Sequence, residues 1–180
     1  IGTFLILLYS TKLPTGVKQC TFTDLHEKYK CNGDKKLIYR SDISKQYPYP
    51  KFENEKSFPA SYKFRKIDLD YEMLLLEKFV CVVDFNQDGQ TFGRIQQYKK
   101  CPNGYAYYRN EMMRISNNPR FICKQAVHYI SSSKFVGNQK YIRNATKKWY
   151  VLLCLPLGIL FHLYLKNTTK KSLGYRIKKK

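Results

Sequence analysis

The sequence predicts an α+β fold, in which a short helix packs on an antiparallel sheet. Of its 180 residues, 43% are apolar, and 16 are Tyr and 11 Phe, which is enough for a folded core. This aromatic excess favours strands over a helical bundle. The sequence contains only four alanines, Ala60, Ala106, Ala126 and Ala145, so its helix propensity is low and an all-helical protein is disfavoured.

The clearest local pattern is a β-hairpin. Phe79–Phe85 is rich in β-branched and aromatic residues, an Asp-Gly turn follows, and Gln90–Gln97 supplies the second strand. A further strand is predicted over Lys66–Leu76, where apolar residues alternate at first. A helix over Tyr71–Lys78 is the alternative, because its Met-Leu-Leu-Leu-Glu-Lys run has high helix propensity.

Two short helices are predicted before these strands. One covers Asp24–Tyr29, and the other begins near Ser41, with Ser41 or Asp42 as its N-cap. Tyr47-Pro48-Tyr49-Pro50 must then be extended, because each proline disfavours helical backbone at the residue before it.

Charge is distributed unevenly along the chain. Lys and Arg total 33 against 13 Asp and Glu, a net charge of +20, yet Glu111 is the last acidic residue. Residues 112–180 carry 15 Lys or Arg and no acid. This asymmetry excludes a uniformly basic nucleic-acid binder and predicts a separate basic tail.

The tail contains the longest apolar run, Trp149–Leu165. As a helix its 17 residues would span about 25 Å, against about 30 Å for a bilayer core. Lysines flank it and aromatic residues stand at its ends, as at membrane interfaces. A short membrane helix is predicted, with an apolar tail docked on the domain as the alternative. Translated AT-rich non-coding sequence has a similar composition.

The beginning of the sequence suggests export. Ile1–Tyr9 resembles the apolar region of a secretory signal, and a buried strand is the alternative. The predicted organisation is a signal-like segment at 1–18, a domain at 19–125 and the basic tail at 126–180.

Six cysteines stand at positions 20, 31, 81, 101, 123 and 154. In an oxidising compartment they could form disulfides with any of 15 full connectivities. Cys81 and Cys154 lie inside apolar runs, where buried free thiols are the alternative. The sequence has no Cys-x-x-Cys pair, so no zinc site is predicted, and neither is a cofactor.

Five short motifs, in order, resemble the small fungal guanyl-specific ribonucleases. These are Tyr29-Lys30-Cys31 with Tyr39–Ile43, Tyr47–Asn54, Tyr71–Leu75, Val82–Gly93 and Asn117–Cys123. Over about residues 20–125 the chain is also similar to the secreted ribonuclease-like effectors of powdery mildew fungi. The resemblance implies a short helix on a curved antiparallel sheet, with a loop at 98–116 that is longer than the family's.

The resemblance also implies that the catalytic site is lost. Such enzymes need a general base, a general acid and cationic groups around the phosphate. Glu72 matches the base, whereas Tyr49 replaces the acid His, Gln97 replaces the second His and Val82 replaces the Arg. An ordinary Tyr has a pKa of about 10, and losing the acid alone would lower the rate by about 10²–10⁴-fold.

The predicted RNA-binding surface combines aromatic rings that could stack on bases with cations that could contact phosphates. Its residues are Tyr47, Lys51, Phe52, Arg65, Lys66 and Arg94. Alternatively, these aromatics pack internally and the charges are solvated. The family's disulfide implies Cys31–Cys123, with Cys101 as the alternative partner of Cys31, and Cys20–Cys101 is the predicted second pair.

The leading hypothesis is a secreted, catalytically inactive, monomeric ribonuclease-like effector that binds host RNA or a host protein. One alternative is an active endoribonuclease whose site aligns differently. The other is a basic, membrane-attached protein of unrelated fold, anchored through Trp149–Leu165.

Overall fold

The computed structural model describes residues 3–10, 13–31, 33–76 and 94–168, with side chains over 13–31, 36–76 and 95–168. The chain divides into two compact units. Unit 1 comprises Ile1–Tyr49 and Ala60–Phe85, and unit 2 comprises Pro50–Pro59 and Asn86–Lys180.

The described part mixes strands and helices and is mostly helical. The strands are β1 Thr3–Ser10, β2 Gln19–Cys20, β3 Gly33–Tyr39 and β4 Met73–Leu76. The helices of unit 1 are α1 Phe22–Glu27, α2 Ser41–Gln46 and α3 Ser61–Ile67. Those of unit 2 are α4 Arg94–Lys100, α5 Pro102–Ile115, α6 Pro119–Val136, α7 Tyr141–Asn144, α8 Lys148–Leu153 and α9 Leu155–Asn167.

Unit 1 is built on a sheet with strand order β2-β4-β1-β3. The signal-like segment forms β1, a central strand, where Leu5 pairs with Leu37 of β3 and with Leu75 of β4. The structure therefore shows the strand that was the alternative interpretation of this segment. Its role in export stays a prediction.

The predicted α+β class is confirmed only as a mixture of helix and sheet. The sheet is not wholly antiparallel, because β1 and β4 run parallel. The strand predicted from Lys66 begins only at Met73, since Lys66 and Ile67 complete helix α3. Neither is the alternative helix over Tyr71–Lys78 formed, because β4 occupies its middle.

Most of the predicted hairpin lies outside the described residues. The end of its second strand is wrong, because Arg94–Gln97 belongs to helix α4. Its Gln and Lys side chains favour helix, and that propensity outweighs the weak alternation. The predicted loop at 98–116 is wrong as well, since α5 fills most of it.

Both short helices predicted for unit 1 are present. Helix α1 begins at Phe22, and the Thr21 Oγ1 accepts a hydrogen bond from the Asp24 N–H at 2.9 Å as its N-cap. Helix α2 begins at Ser41 as predicted, but its N-cap is Arg40, without a side-chain hydrogen bond. Asp42 does not cap the helix because its carboxylate pairs with the Arg40 guanidinium at 2.6 Å.

Unit 2 is centred on the long helix α6. Asn118 caps its start, and Gly137, with φ +78°, ends it in the left-handed conformation that glycine adopts without strain. Its buried face carries Ile122, Ala126 and Ile130. Helix α6 runs without a break through residues 125 and 126, where the boundary between domain and tail was predicted.

The predicted apolar helix at Trp149–Leu165 is found as α8 and α9, which meet at Cys154. Pro156 follows two residues later, and it has no N–H to donate to the Leu152 carbonyl, which accounts for the break. Among the described residues, no helix is both long and apolar enough to span a bilayer.

Candidate functional site

The residues aligned with ribonuclease catalysis fall in both units. In unit 1, Glu72 is exposed and lines a shallow depression together with Tyr39, Phe64 and Asp68. Tyr49, also in unit 1, donates its hydroxyl hydrogen to the Ala60 carbonyl at 3.1 Å. Gln97 is on α4 of unit 2, and Val82 lies outside the described residues.

Several residues of the predicted RNA surface take part in packing. The Tyr47 hydroxyl bonds the Asp70 carboxylate at 2.6 Å, which raises the pKa of Tyr47 to about 12. Phe52 stacks on Phe58 with ring centroids 6.1 Å apart. Arg65 is buried and pairs with Glu27 at 3.1 Å. Of the other three, Lys51 is exposed, Lys66 is half-buried, and the side chain of Arg94 lies outside the described residues.

Among the described residues, no disulfide at bonding distance joins Cys20, Cys31, Cys101 or Cys123. Each predicted pair joins cysteines of different units. Cys20 and Cys31 instead share the unit 1 core with Leu25 and Met73, and Cys123 packs in the unit 2 core.

A different feature dominates the surface of unit 2. Five large side chains follow one another at intervals of three or four residues along α8 and α9, and each is between 54% and 82% exposed. Side chains at these intervals share one helix face. We call this set the apolar stripe; its members are Trp149, Leu153, Leu157, Leu160 and Tyr164.

The opposite face of the same helices is already buried against α6. Val151, Cys154, Gly158 and Leu165 are its buried positions. A Cβ at Gly158 would lie 2.6–2.8 Å from atoms of Ile130, so only glycine permits this close approach of α9 to α6. The helix pair is therefore apolar on two faces, only one of which has a partner among the described residues.

Cations stand at both ends of the apolar stripe. Lys148 precedes Trp149 and Lys166 follows Tyr164, and both are exposed. Nearby, the Lys99 ammonium donates to the carbonyl of Thr168 at 3.0 Å, at the end of α9. Residues 112–168 contain no acid, so this part of the surface is strongly positive.

The interior of unit 2 is unusually polar. Ser131, Ser132 and Ser133 are fully buried near the C-terminal end of α6, and their hydroxyls form no well-shaped hydrogen bond. The first two lie beside the Tyr98 hydroxyl, which donates its own hydrogen to the His128 carbonyl at 2.6 Å.

Helices α6 and α9 each contribute one histidine, and each histidine ring contacts a Phe ring of the other helix. His128 of α6 faces Phe161 of α9 with ring centroids 4.7 Å apart, and His162 of α9 faces Phe135 of α6 at 4.4 Å. Burial, with a smaller effect of Arg109, lowers the pKa of His128 to about 3. Burial also lowers the pKa of His162, so both imidazoles are neutral near pH 7.

Sequence reasoning found the apolar run and its flanking lysines, but not the stripe or the buried polar groups. The spacing of Trp149, Leu153 and Leu157 carried a signal, which the uniformly apolar composition of the run concealed. Three consecutive serines carry none, because such a run is usual on a protein surface.

Neither metal ligands nor relatives identify the site. Within the described ranges, no cluster of three or more His, Cys, Asp or Glu side chains is arranged to hold a metal ion. No protein-family model, curated protein or solved structure matches the chain.

Proposed function

We propose that this protein binds the surface of anionic membranes, with the apolar stripe buried in the bilayer interface. The observation that carries this proposal is the stripe itself: five large apolar side chains lie exposed on helices whose other face is already packed. Contiguous exposed apolar surface bordered by charge is typical of binding sites for proteins or membranes.

The charge pattern favours a membrane over a protein partner. Lys148 and Lys166 extend from the two ends of the stripe, where lipid phosphates would lie. Trp149 and Tyr164 occupy the same ends, and their amphipathic rings favour the headgroup region. A surface without acids, rich in lysine and arginine, is attracted to anionic lipid.

The energies are sufficient for stable binding. Complete burial of one large apolar side chain contributes about 1.5–3 kcal/mol, and each lysine near an anionic surface adds about 1 kcal/mol. The helices would lie in the plane of the interface, because cations stand at both ends of the stripe and α6 covers the other side.

Flotation with lipid vesicles tests this proposal. We expect the full chain to float with vesicles of phosphatidylcholine and phosphatidylserine, and far less with phosphatidylcholine alone. The fluorescence of Trp149, the single tryptophan of the sequence, should shift to the blue on binding. Absence of both signals on the mixed vesicles would disprove membrane binding.

Matched substitutions sharpen the test. Leu153→Gln combined with Leu160→Gln should lower vesicle binding at least tenfold without unfolding the protein, since both side chains are exposed. Leu69→Gln is the control, because Leu69 is 53% exposed but belongs to unit 1. Equal losses in the two variants would show that the stripe is not the contact surface.

The ribonuclease-like effector stays a second hypothesis, with host RNA or a host protein as its partner. Its support is the exposed carboxylate of Glu72 beside a depression lined by the aromatic rings of Tyr39 and Phe64. Incubation of the full chain with total RNA tests for activity. Cleavage that Glu72→Ala abolishes would establish an active endoribonuclease.

RNA binding without cleavage has its own signature. Affinity should fall steeply with salt, and Lys51→Ala should flatten that slope if Lys51 contacts a phosphate. The exposed Lys148 serves as the comparison, because it lies at the apolar stripe. Binding that is insensitive to salt would favour a protein partner.

A further inference from the structure

Two of the free thiols are neighbours in the core of unit 2. Cys154, at the junction of α8 and α9, is buried, and Cys123 of α6 is half-buried against the same cluster. The two thiols are neighbours, because the Cys123 thiol adds to the effect of burial in raising the pKa of Cys154. Neither residue was predicted to pair with the other.

The surrounding contacts hold these two sulfurs together. Ile122 and Ala126, on either side of Cys123 along α6, are fully buried, as is Val151 in the turn before Cys154. One turn after Cys154, Gly158 lets α9 approach α6 closely. Disulfides require Cα atoms about 4.4–6.8 Å apart, and such closely packed helices can provide that separation.

We propose that Cys123 and Cys154 form a disulfide when the chain folds in the presence of a small-molecule disulfide such as oxidised glutathione. The bond would link α6 to the start of α9 and so fix the helix that carries much of the apolar stripe. This inference is independent of membrane binding, because it concerns only the covalent structure of unit 2.

The reaction proceeds by thiol–disulfide exchange. The half-exposed Cys123 loses its proton and its thiolate attacks one sulfur of oxidised glutathione, which releases one glutathione thiolate. Cys154 then loses its proton and displaces the second glutathione from Cys123. The two cysteines are oxidised by two electrons, one glutathione disulfide is reduced to two thiols, and the two protons released pass to the two glutathione thiolates.

Burial makes the second step slow in the folded protein. Desolvation and the neighbouring Cys123 thiol raise the pKa of Cys154 to about 11, so little thiolate forms at neutral pH. We therefore expect the bond to form most rapidly during folding, before the cluster closes around Cys154.

Peptide mapping of the full chain tests the inference. The reduced, unfolded chain is refolded in a glutathione redox buffer, acid-quenched, unfolded, alkylated and digested with trypsin without reductant. We expect the peptides Phe121–Lys124 and Trp149–Lys166 to be joined, with a mass two hydrogens below the sum of the two thiol peptides. Alkylation of both Cys123 and Cys154, or a link from Cys123 to Cys31, would overturn the proposal.

Two variants exclude incidental oxidation. With Cys154→Ser, Cys123 should be recovered alkylated or as its glutathione adduct. Cys101→Ser is the matched control, because it removes another buried thiol of unit 2 and should leave the Cys123–Cys154 link unchanged. If Cys101→Ser abolished the link while Cys154→Ser left Cys123 bound to another cysteine, the assignment would be wrong.

Discussion

The two units differ in how completely their buried polar groups are paired. In unit 1, the Asp68 carboxylate accepts hydrogen bonds from the Phe22 and Thr23 N–H groups at 2.9 and 2.7 Å. In unit 2, by contrast, the Nδ1 atoms of His128 and His162 are buried without a hydrogen-bond partner among the described residues. The fully buried serines of α6 lie in the same unit.

The two units also differ in how their exposed apolar side chains are distributed. Among the described side chains of unit 1, the large apolar ones that are exposed stand singly, as Leu69 does. Unit 2 carries the continuous apolar stripe. A protein surrounded by water places polar groups outside and pairs those it buries. Among the described residues, unit 1 follows this rule, whereas unit 2 exposes the apolar stripe and also buries several polar atoms that have no hydrogen-bond partner.

The largest loss of stability on substitution should occur in unit 1, where a buried cation has an ion-pair partner. Glu27→Gln removes the ion-pair partner of Arg65, whose side chain is only 9% exposed, and leaves this buried cation with the Thr23 hydroxyl and the more distant charge of Asp68. We expect a loss of about 3 kcal/mol in the free energy of unfolding, measured by urea titration. Asp42→Asn breaks the exposed pair with Arg40 and should cause no measurable change. Equal losses would contradict the contrast between buried and surface pairs.

The stability of unit 2 should depend on side-chain volume where α9 contacts α6. Gly158→Ala adds a methyl group 2.6–2.8 Å from Ile130 and should lower the free energy of unfolding by about 2–3 kcal/mol. Ile130→Ala removes two of the three clashing atoms, Cδ1 and Cγ2, and keeps Cβ, so Gly158→Ala should cost less in that background. A cost that is equal in both backgrounds would show that these two residues do not limit the approach of α9.

Acid should lower the stability of unit 2 more than that of unit 1. The pKa of His128 is about 3 in the folded protein and about 6.5 when unfolded, so the unfolded chain binds more protons between these values. This contribution to stability is complete above pH 6.5 and is lost as pH falls, by about 2 kcal/mol from pH 7 to pH 5. Burial instead raises the pKa of Asp68, so that group favours unit 1 as pH falls towards its folded-state pKa.

Hydrogen exchange measures this difference directly. The amides of α6 should lose protection between pH 7 and pH 5, after correction for intrinsic exchange rates, whereas those of α1 should not. His128→Phe should remove much of the dependence in α6. Parallel loss of protection in both helices would contradict the assignment to His128.

Local signals predicted more of this molecule than long-range ones. Residues near Asp24 and Ser41 form helices as predicted, and the Trp149–Leu165 run is helical. The parallel pairing of β1 with β4 joins strands about 70 residues apart, and no local pattern specifies it. Helix α6 had a periodic signal in Ile122, Ala126 and Ile130, but the ribonuclease resemblance placed a closing segment and a domain boundary there. Of the candidate sites, only the apolar run and its flanking lysines were visible.

The smallest predicted losses of stability concern the N-caps of α1 and α6, and they test whether helix ends contribute equally in the two units. The Thr21 hydroxyl caps α1 by accepting one hydrogen bond from the Asp24 N–H. The Asn118 side-chain oxygen caps α6 by accepting from the N–H groups of Arg120 and Phe121 at 3.1 and 3.3 Å. Thr21→Ala and Asn118→Ala should each lower the free energy of unfolding by about 1 kcal/mol. Asn117→Ala, at an exposed position beside the second cap, is the control and should have no effect.

Equal cap energies would show that the ends of the helices obey the same rules in both units. The difference between the units would then reside in side chains far apart in sequence, such as Glu27 with Arg65 and His128 with Phe161. A much larger cost for Asn118→Ala would instead mean that α6 depends on its own capping. In that case the polar interior of unit 2 would reflect a weakly packed helix rather than an apolar environment outside it.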